Sequence, residues 1–246
     1  MKESVYFYTF NKCASTLFSG YVLKNIDGLK HVDYADEIYN GKLYERLIFE
    51  KNGFVYGPVR FTANPVSPVF KLLVEPLSSV EFIRNKIAIF LVRDPRDILV
   101  SGYYSFGYTH GYSSVAVIQK EQQKLRESIQ NMTINEYVEK AANDLKVNFD
   151  TFIKLRNACE RNVVLKYEDM LTDWDYFVAN LTKYTQIKHA VIEQMYVNSR
   201  PRKKEEITSH RRSGIPGDFR NKVDKNSITF LNNLFGPILN SLEYEF

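Results

Sequence analysis

The chain has 246 residues, 33 lysines and arginines against 29 aspartates and glutamates (a net charge of +4), and 44% hydrophobic residues. This composition excludes a disordered, collagen-like or coiled-coil chain, and the length gives one generous domain, residues 1–246, able to bury a full core without staples. The charge is too mild to argue for nucleic acid, but it suits a local anion site.

Val5 to Phe10 (VYFYTF) is a β-branched and aromatic run that predicts a buried strand close to the first residue. A polar turn, Asn11 to Ser15, leads into a helix over Thr16 to Lys24. His31 to Ala35 and Lys51 to Phe61 contain further strand-like pieces, and Ser78 with Glu81 forms a capping box before a short helix. Lys86 to Val92 (KIAIFLV) is the clearest buried strand. A helix follows Asp94-Pro95 to about Phe106, and Thr133 with Glu136 opens a long helix to about Ala158. Asn162 to Lys166 reads as a strand, and Thr172 to Tyr184 and Ile187 to Val197 as helices. Strands alternating with helices of this length imply parallel βαβ units. The expected fold is therefore α/β, a three-layer sandwich with a central, mainly parallel sheet.

Cys13 and Cys159 are too few for a disulfide framework or a structural zinc site, and no His, Cys and carboxylate spacing suggests another metal. The N-terminus carries Glu3 and lacks a secretory h-region. The longest apolar run, Ile87 to Val92, is far below the ~20 residues of a membrane span. A soluble, cytoplasmic protein without a membrane span is the expectation.

Three segments carry chemistry. In Thr9-Phe10-Asn11-Lys12-Cys13-Ala14-Ser15-Thr16, a lysine and two hydroxyls stand where a strand gives way to a helix. Helix N–H groups and a point charge are offered to an anion there, as in a P-loop-like phosphate turn. An ordinary strand–helix turn accounts for the lysine equally well, and G-x-x-x-x-G-K-[ST] is absent, since no glycine precedes Gly20. In Arg93-Asp94-Pro95-Arg96-Asp97-Ile98-Leu99-Val100-Ser101, an arginine ends the most apolar strand, at the sheet edge where α/β folds bind ligands. Pro95 suits the first helical turn, and Ser101 comes round two turns later. The alternative is an ion-pair cluster at a helix start. In Arg211-Arg212-Ser213-Gly214-Ile215-Pro216-Gly217-Asp218-Phe219-Arg220-Asn221, glycines allow a tight curl beside basic side chains, an anion nest in outline.

These segments in this order resemble the sulfotransferases that use 3′-phosphoadenosine 5′-phosphosulfate (PAPS). The family's P-K-x-G-[ST]-T loop is altered here to Asn11 through Thr16, keeping Lys12 and Thr16. Its R-x-P-x-D-x-x-x-S segment matches Arg93 to Ser101 at full spacing, and its late R-x-G-x-x-G-D-[WF]-[KR]-N segment matches Arg212 to Asn221. Tyr167-Glu168-Asp169 looks like the family's Y-E-D segment, whose tyrosine lies near the adenine. The resemblance implies a transferase moving a sulfuryl group from PAPS to a hydroxyl or amine, releasing adenosine 3′,5′-bisphosphate and needing no metal. Lys12 would meet the sulfuryl group and the leaving phosphate. Ser15, Thr16 and the backbone at Cys13 and Ala14 would hold the 5′-phosphate, and Arg93, Ser101, Arg212 and Gly214 the 3′-phosphate. Ser213 stands where relatives carry a second basic residue.

For the general base, the family's K-T-H strand is missing, with Gly57-Pro58-Val59-Arg60 in its region. The K-E-V-x-F pattern of carbohydrate-modifying relatives fits Lys30 to Tyr34 with His31 in place of the glutamate. His31 is one candidate base, His110 a second, and a carboxylate such as Asp33 a third. Tyr103, Tyr104, Phe106, Tyr108 and Tyr112 could line the cleft of a small-molecule or carbohydrate acceptor, or simply pack a helix on the sheet. A nucleotide-binding phosphotransferase and an inactive binding module are the remaining readings.

Overall fold

The computed structural model describes residues 1–61, 76–201 and 214–246. Those residues divide into two compact units: 1–61, 76–93 and 151–200 in the first, 94–150, 201 and 214–246 in the second.

The first unit holds the whole sheet: β1 (Val5–Thr9), β2 (Lys30–Val32), β3 (Phe54–Arg60), β4 (Ile87–Val92) and β5 (Arg161–Lys166). The five strands are parallel in the order β2-β3-β1-β4-β5, with helices on both sides. This is the expected α/β architecture. Every residue of β1 is buried, as is β4 beyond Ile87, which is why neither strand shows a polar–apolar alternation. Alternation sends neighbours to opposite faces. Phe7 stacks on Phe18, with ring centroids 4.7 Å apart, whereas Tyr8 stacks on Phe61 and Phe90 at 5.7 and 5.1 Å.

The β1–β3 register slips once. Tyr6 pairs with Tyr56 but Tyr8 with Val59, so Gly57 and Pro58 together oppose Phe7. Proline has no N–H to give the ladder, and such residues collect at bulges. Gly57 has φ 132°, and a Cβ there would stand 2.4 Å from the Phe7 carbonyl oxygen. Gly57→Ala is expected to cost about 3 kcal/mol or more from strain and overlap together, visible as a lowered denaturation midpoint. An unchanged midpoint would show that the bulge relaxes freely.

Among the described residues this unit also contains α1 (Ser15–Leu17), α2 (Tyr34–Tyr39), α3 (Val80–Ile83), α7 (Asp169–Thr172), α8 (Trp174–Leu181) and α9 (His189–Ser199). Helical turns continue α1 as far as Asn25. The cap of α3 is Ser79, which accepts from Phe82 N–H at 3.3 Å, one residue later than the expected Ser78. The expected strand at His31–Ala35 stops at Val32, because Asp33 accepts from Asp36 N–H at 3.0 Å and starts α2.

The second unit contains α4 (Pro95–Tyr104), a wider helical turn over Ser105–Thr109, α5 (Ala116–Gln130), α10 (Phe219–Lys222) and α11 (Lys225–Ser241). α6 (Ile134–Ala158) has residues in each unit. Its predicted capping box forms in full: Thr133 N–H donates to Glu136 at 2.7 Å and Glu136 N–H to Thr133 Oγ at 3.3 Å. Asp224 caps α11 through Ser227 N–H at 2.8 Å, and the Ser227 hydroxyl donates to Glu139 at 2.6 Å.

Candidate functional site

β1 ends at Thr9 and the chain curls through Phe10 to Ala14 before α1. Lys12 and Ala14 both have left-handed backbones, with φ 70° and 58°. Two side-chain-bearing residues in this region within three positions mark a constrained turn, the sort found at functional sites. Alternation of left- and right-handed residues turns successive N–H groups towards one side, the concavity that receives anions. Cys13 between them is fully buried, and burial pushes its thiol up to about 12. Its side chain is therefore core.

Lys12 is half-buried. Burial lowers its pKa from the ordinary 10.5 to about 8, with the nearby Arg93 charge adding to the effect. Arg93 leaves the end of β4, is 6% exposed, and donates from Nη1 to the Lys12 carbonyl at 3.2 Å. Its guanidinium lies 4.5 Å from the centroid of the Tyr167 ring. Tyr167 in turn donates its N–H to Val92 O at 2.8 Å, extending the β4–β5 pairing past the strand end. Arg93, Lys12 and Tyr167, 74 or more positions apart along the chain (167 − 93 = 74), thus meet at one edge of the sheet. Two cations crowded together and shielded from water are poised for a polyanion.

A second group of side chains lies on the Ser15 side of the loop. Ser15 is 8% exposed, and its hydroxyl accepts from Arg60 Nε at 3.4 Å. Arg60 Nη1 also reaches Pro58 O at 3.4 Å and stands 4.0 Å from Asp33. Burial raises the Asp33 carboxyl, the Arg60 charge pulling it back only in part. His31 donates from Nε2 to the Gly57 carbonyl at 2.7 Å. That carbonyl belongs to the bulge beside Pro58, where the ladder is irregular. The bond sets the tautomer and leaves Nδ1 as the basic nitrogen. Asp33 has the capping of α2 as its own task. Sequence reasoning missed Arg60 and the Gly57 carbonyl. Arg60 ends its strand as Arg93 does, which was the available signal; the carbonyl had none.

Past Arg93 the second unit begins, and there the rest of the segment, Asp94 to Ser101, separates into distinct roles. Arg96 is fully buried. Its Nε and Nη2 grip both Asp94 oxygens at 3.0 and 2.7 Å, while Nη1 donates to Asn232 at 2.7 Å and Nη2 also to Glu245 O. Phe219 lies under the guanidinium at 4.2 Å. Asp97 accepts from Gly217 N–H at 2.7 Å and Phe219 N–H at 3.1 Å, and so holds the late glycine segment in place. Gly217 and Gly214 have φ 76° and 73°, the left-handed geometry that suits glycine. The helix-start ion pair is thus real for Asp94 and Arg96, while Arg93 is engaged elsewhere. Ser101 is partly exposed on α4. Arg211, Arg212 and Ser213 lie outside the described residues, so the expected nest is described from Gly214 onward. Thr16 of the loop is exposed.

His110 follows the turn after α4, with its N–H on Ser105 O at 2.7 Å and its ring edge-on to Phe106 at 5.4 Å. Arg126 donates to the His110 carbonyl and stacks on Tyr112 at 4.2 Å. Tyr103 packs against Tyr104, Tyr108 and Tyr137. Tyr103 is half-buried among these rings and donates to Met132 O at 3.0 Å, and Tyr108 and Tyr112 are 44% and 39% exposed, so the contacts of Tyr103 are with its own unit and not with the sheet.

Among the described residues, no three His, Cys, Asp or Glu side chains gather as a metal site, and no helix is long and apolar enough to cross a membrane.

A family model described as the sulfotransferase domain matches residues 9–242, running from the end of β1 to the end of α11. The chain belongs to the sulfotransferase family. No curated protein sequence matches this sulfotransferase-domain chain. Among solved structures, its fold is similar to mouse sulfotransferase SULT7A1 complexed with PAP (TM-score 0.58, 12% identity, 97% of this chain and 84% of that one). It is also similar to retinol dehydratase in complex with androsterone and inactive cofactor PAP (TM-score 0.56, 13% identity, 99% and 82%). A second complex of retinol dehydratase, with retinol and PAP, matches with TM-score 0.55 and 12% identity over 100% of this chain and 84% of that one. At these identities the likeness is one of fold. The family model spans residues of both compact units of this sulfotransferase-domain chain.

Proposed function

We propose that the protein transfers a sulfuryl group from PAPS to a hydroxyl or amine of a small-molecule or carbohydrate acceptor. The observation that carries this reading is the meeting of Lys12 and Arg93 at a doubly left-handed turn after β1, in a chain of the sulfotransferase family. PAP in the structures of similar fold supports the choice of donor.

The residues fit such a donor. Backbone N–H groups from Cys13 to Thr16 and the Ser15 and Thr16 hydroxyls are assigned to the 5′-phosphate. Arg93, Ser101, Arg212, Ser213 and Gly214 are assigned to the 3′-phosphate, with Tyr167 beside the adenine. In the transfer, the acceptor oxygen or nitrogen forms a bond to sulfur as the bond from sulfur to the bridging oxygen breaks. The electron pair leaves on the 5′-phosphate and the acceptor proton passes to a base. Lys12 opposes the charge that grows on the leaving oxygen, where a preorganised cation shielded from water is worth most. His31 is our choice of base, because the Gly57 carbonyl orients it and leaves Nδ1 basic. His110 is the alternative.

The pKa of Lys12 sets a pH dependence. With a value of about 8 in the unliganded protein, kcat/KM for PAPS should fall as pH rises through that value, since Lys12 sheds its proton and its charge. The bound polyanion restores the proton, so kcat should fall only at higher pH. A kcat/KM profile flat from pH 7 to 9 would contradict the assignment.

Calorimetric titration with adenosine 3′,5′-bisphosphate, beside ATP with magnesium, tests the donor. Binding of the bisphosphate alone supports the proposal. Binding of ATP alone would favour a phosphotransferase and overturn it.

A further inference from the structure

Arg60 has no assigned part in the transfer described above, yet its guanidinium stands beside the phosphate loop. Nε donates to the Ser15 hydroxyl, which is 8% exposed, and Nη1 is braced by Pro58 O and, at 4.0 Å, by Asp33. The side chain is three-quarters buried. A serine hydroxyl has one proton to donate and lone pairs to accept with. If Arg60 occupies an accepting position, the Ser15 proton is turned away from Arg60 and remains for another acceptor. On the loop side, the acceptor that the backbone N–H groups would gather is an anionic oxygen. A hydroxyl already accepting from a cation is also a stronger donor, because successive hydrogen bonds polarise one another.

We infer that Arg60 is a positioning residue for Ser15: it orients and polarises the hydroxyl so that Ser15 donates to the 5′-phosphate of the donor nucleotide. Asp33 and Pro58 hold Arg60 in place for this. The inference rests on the donor reading given above. It places the effect of the Arg60 charge on the loop through a serine, so a lysine, lacking the planar fork, cannot substitute at full strength.

The test is a mutant cycle read by calorimetry with adenosine 3′,5′-bisphosphate, which retains the 5′-phosphate. Arg60→Ala should weaken binding roughly tenfold, the scale of one charge-assisted hydrogen bond. In a Ser15→Ala background the same change should cost nothing further, whereas in a Ser15→Thr background, which keeps the hydroxyl, the loss should return. Circular dichroism of each variant checks that the fold is kept, and a general disturbance of the fold by Arg60→Ala would weaken binding whichever residue stands at 15. Full affinity in Arg60→Ala overturns the relay. So does an equal, additive loss in Ser15→Ala, which would mean that Arg60 touches the anion itself. If the unmodified protein does not bind the bisphosphate, the donor reading falls. The relay to the 5′-phosphate falls with it, and thermal melts of the same variants then decide only the Arg60–Ser15 contact: a coupled shift in Tm between Arg60→Ala and Ser15→Ala retains that contact, and independent shifts remove it.

Discussion

Lys12→Ala is expected to lower sulfuryl transfer by a factor of about 10² to 10³ or more while leaving affinity for adenosine 3′,5′-bisphosphate largely intact. The split follows from what Lys12 is assigned to meet. The bisphosphate has lost the sulfuryl group, and with it the bridging bond whose breaking puts new charge in front of the ammonium. The pocket that depresses the Lys12 pKa to about 8 makes the protonated amine costly at rest and correspondingly valuable when a negative charge develops beside it. Single-turnover rates with PAPS, set beside calorimetry with the bisphosphate, measure both halves. A fully active variant would remove Lys12 from the mechanism. Equal losses in binding and rate would make it a ground-state anchor.

The second large effect concerns stability. Arg96→Ala is expected to destabilise the fold by about 3–5 kcal/mol, because it leaves Asp94 as a buried carboxylate without its cation. The substitution also strips the partner from Asn232 and from the Glu245 carbonyl, and the stacked face from Phe219. Urea denaturation followed by circular dichroism would read the loss as a lower midpoint at unchanged slope. A loss below about 1 kcal/mol would show that water reaches Asp94 and replaces the guanidinium.

Much of the architecture could be read from the residues, and the exceptions have local causes. β1 and β4 declared themselves because both of their faces are buried, so neither run alternates polar with apolar residues. The Thr133–Glu136 box announced α6 because a cap is a contact between near neighbours. α5 went unread: among its fifteen residues only Ile118 and Ile129 are buried, too thin a stripe to show a period. α11 was hidden by Gly236-Pro237, which in sequence signals a break but in the structure sits inside a continuous helix. The same division holds at the candidate site. Lys12 and Arg93 each stood out in their own segment, since a cation at a strand end is visible locally. Their contact was not visible in the residues, because it depends on β1 and β4 being neighbours in the sheet; only the family resemblance had placed both on one nucleotide. Arg60 and the Gly57 carbonyl sit beside a register slip whose local sign, Gly57-Pro58 inside a strand, says nothing of which side chains it brings together.

Asp97 accepts from two backbone N–H groups that lie some 120 positions downstream. The glycine segment is therefore not a portable module: its curl is held from outside, by an acid belonging to the segment that follows β4. Anyone transplanting residues 214–221 into another scaffold would have to carry Asp97 along, at the right distance, or expect the graft to lose its shape. By the same logic the two segments are heritable only as a pair, so a change at position 97 asks for an answering change around Gly217 and Phe219.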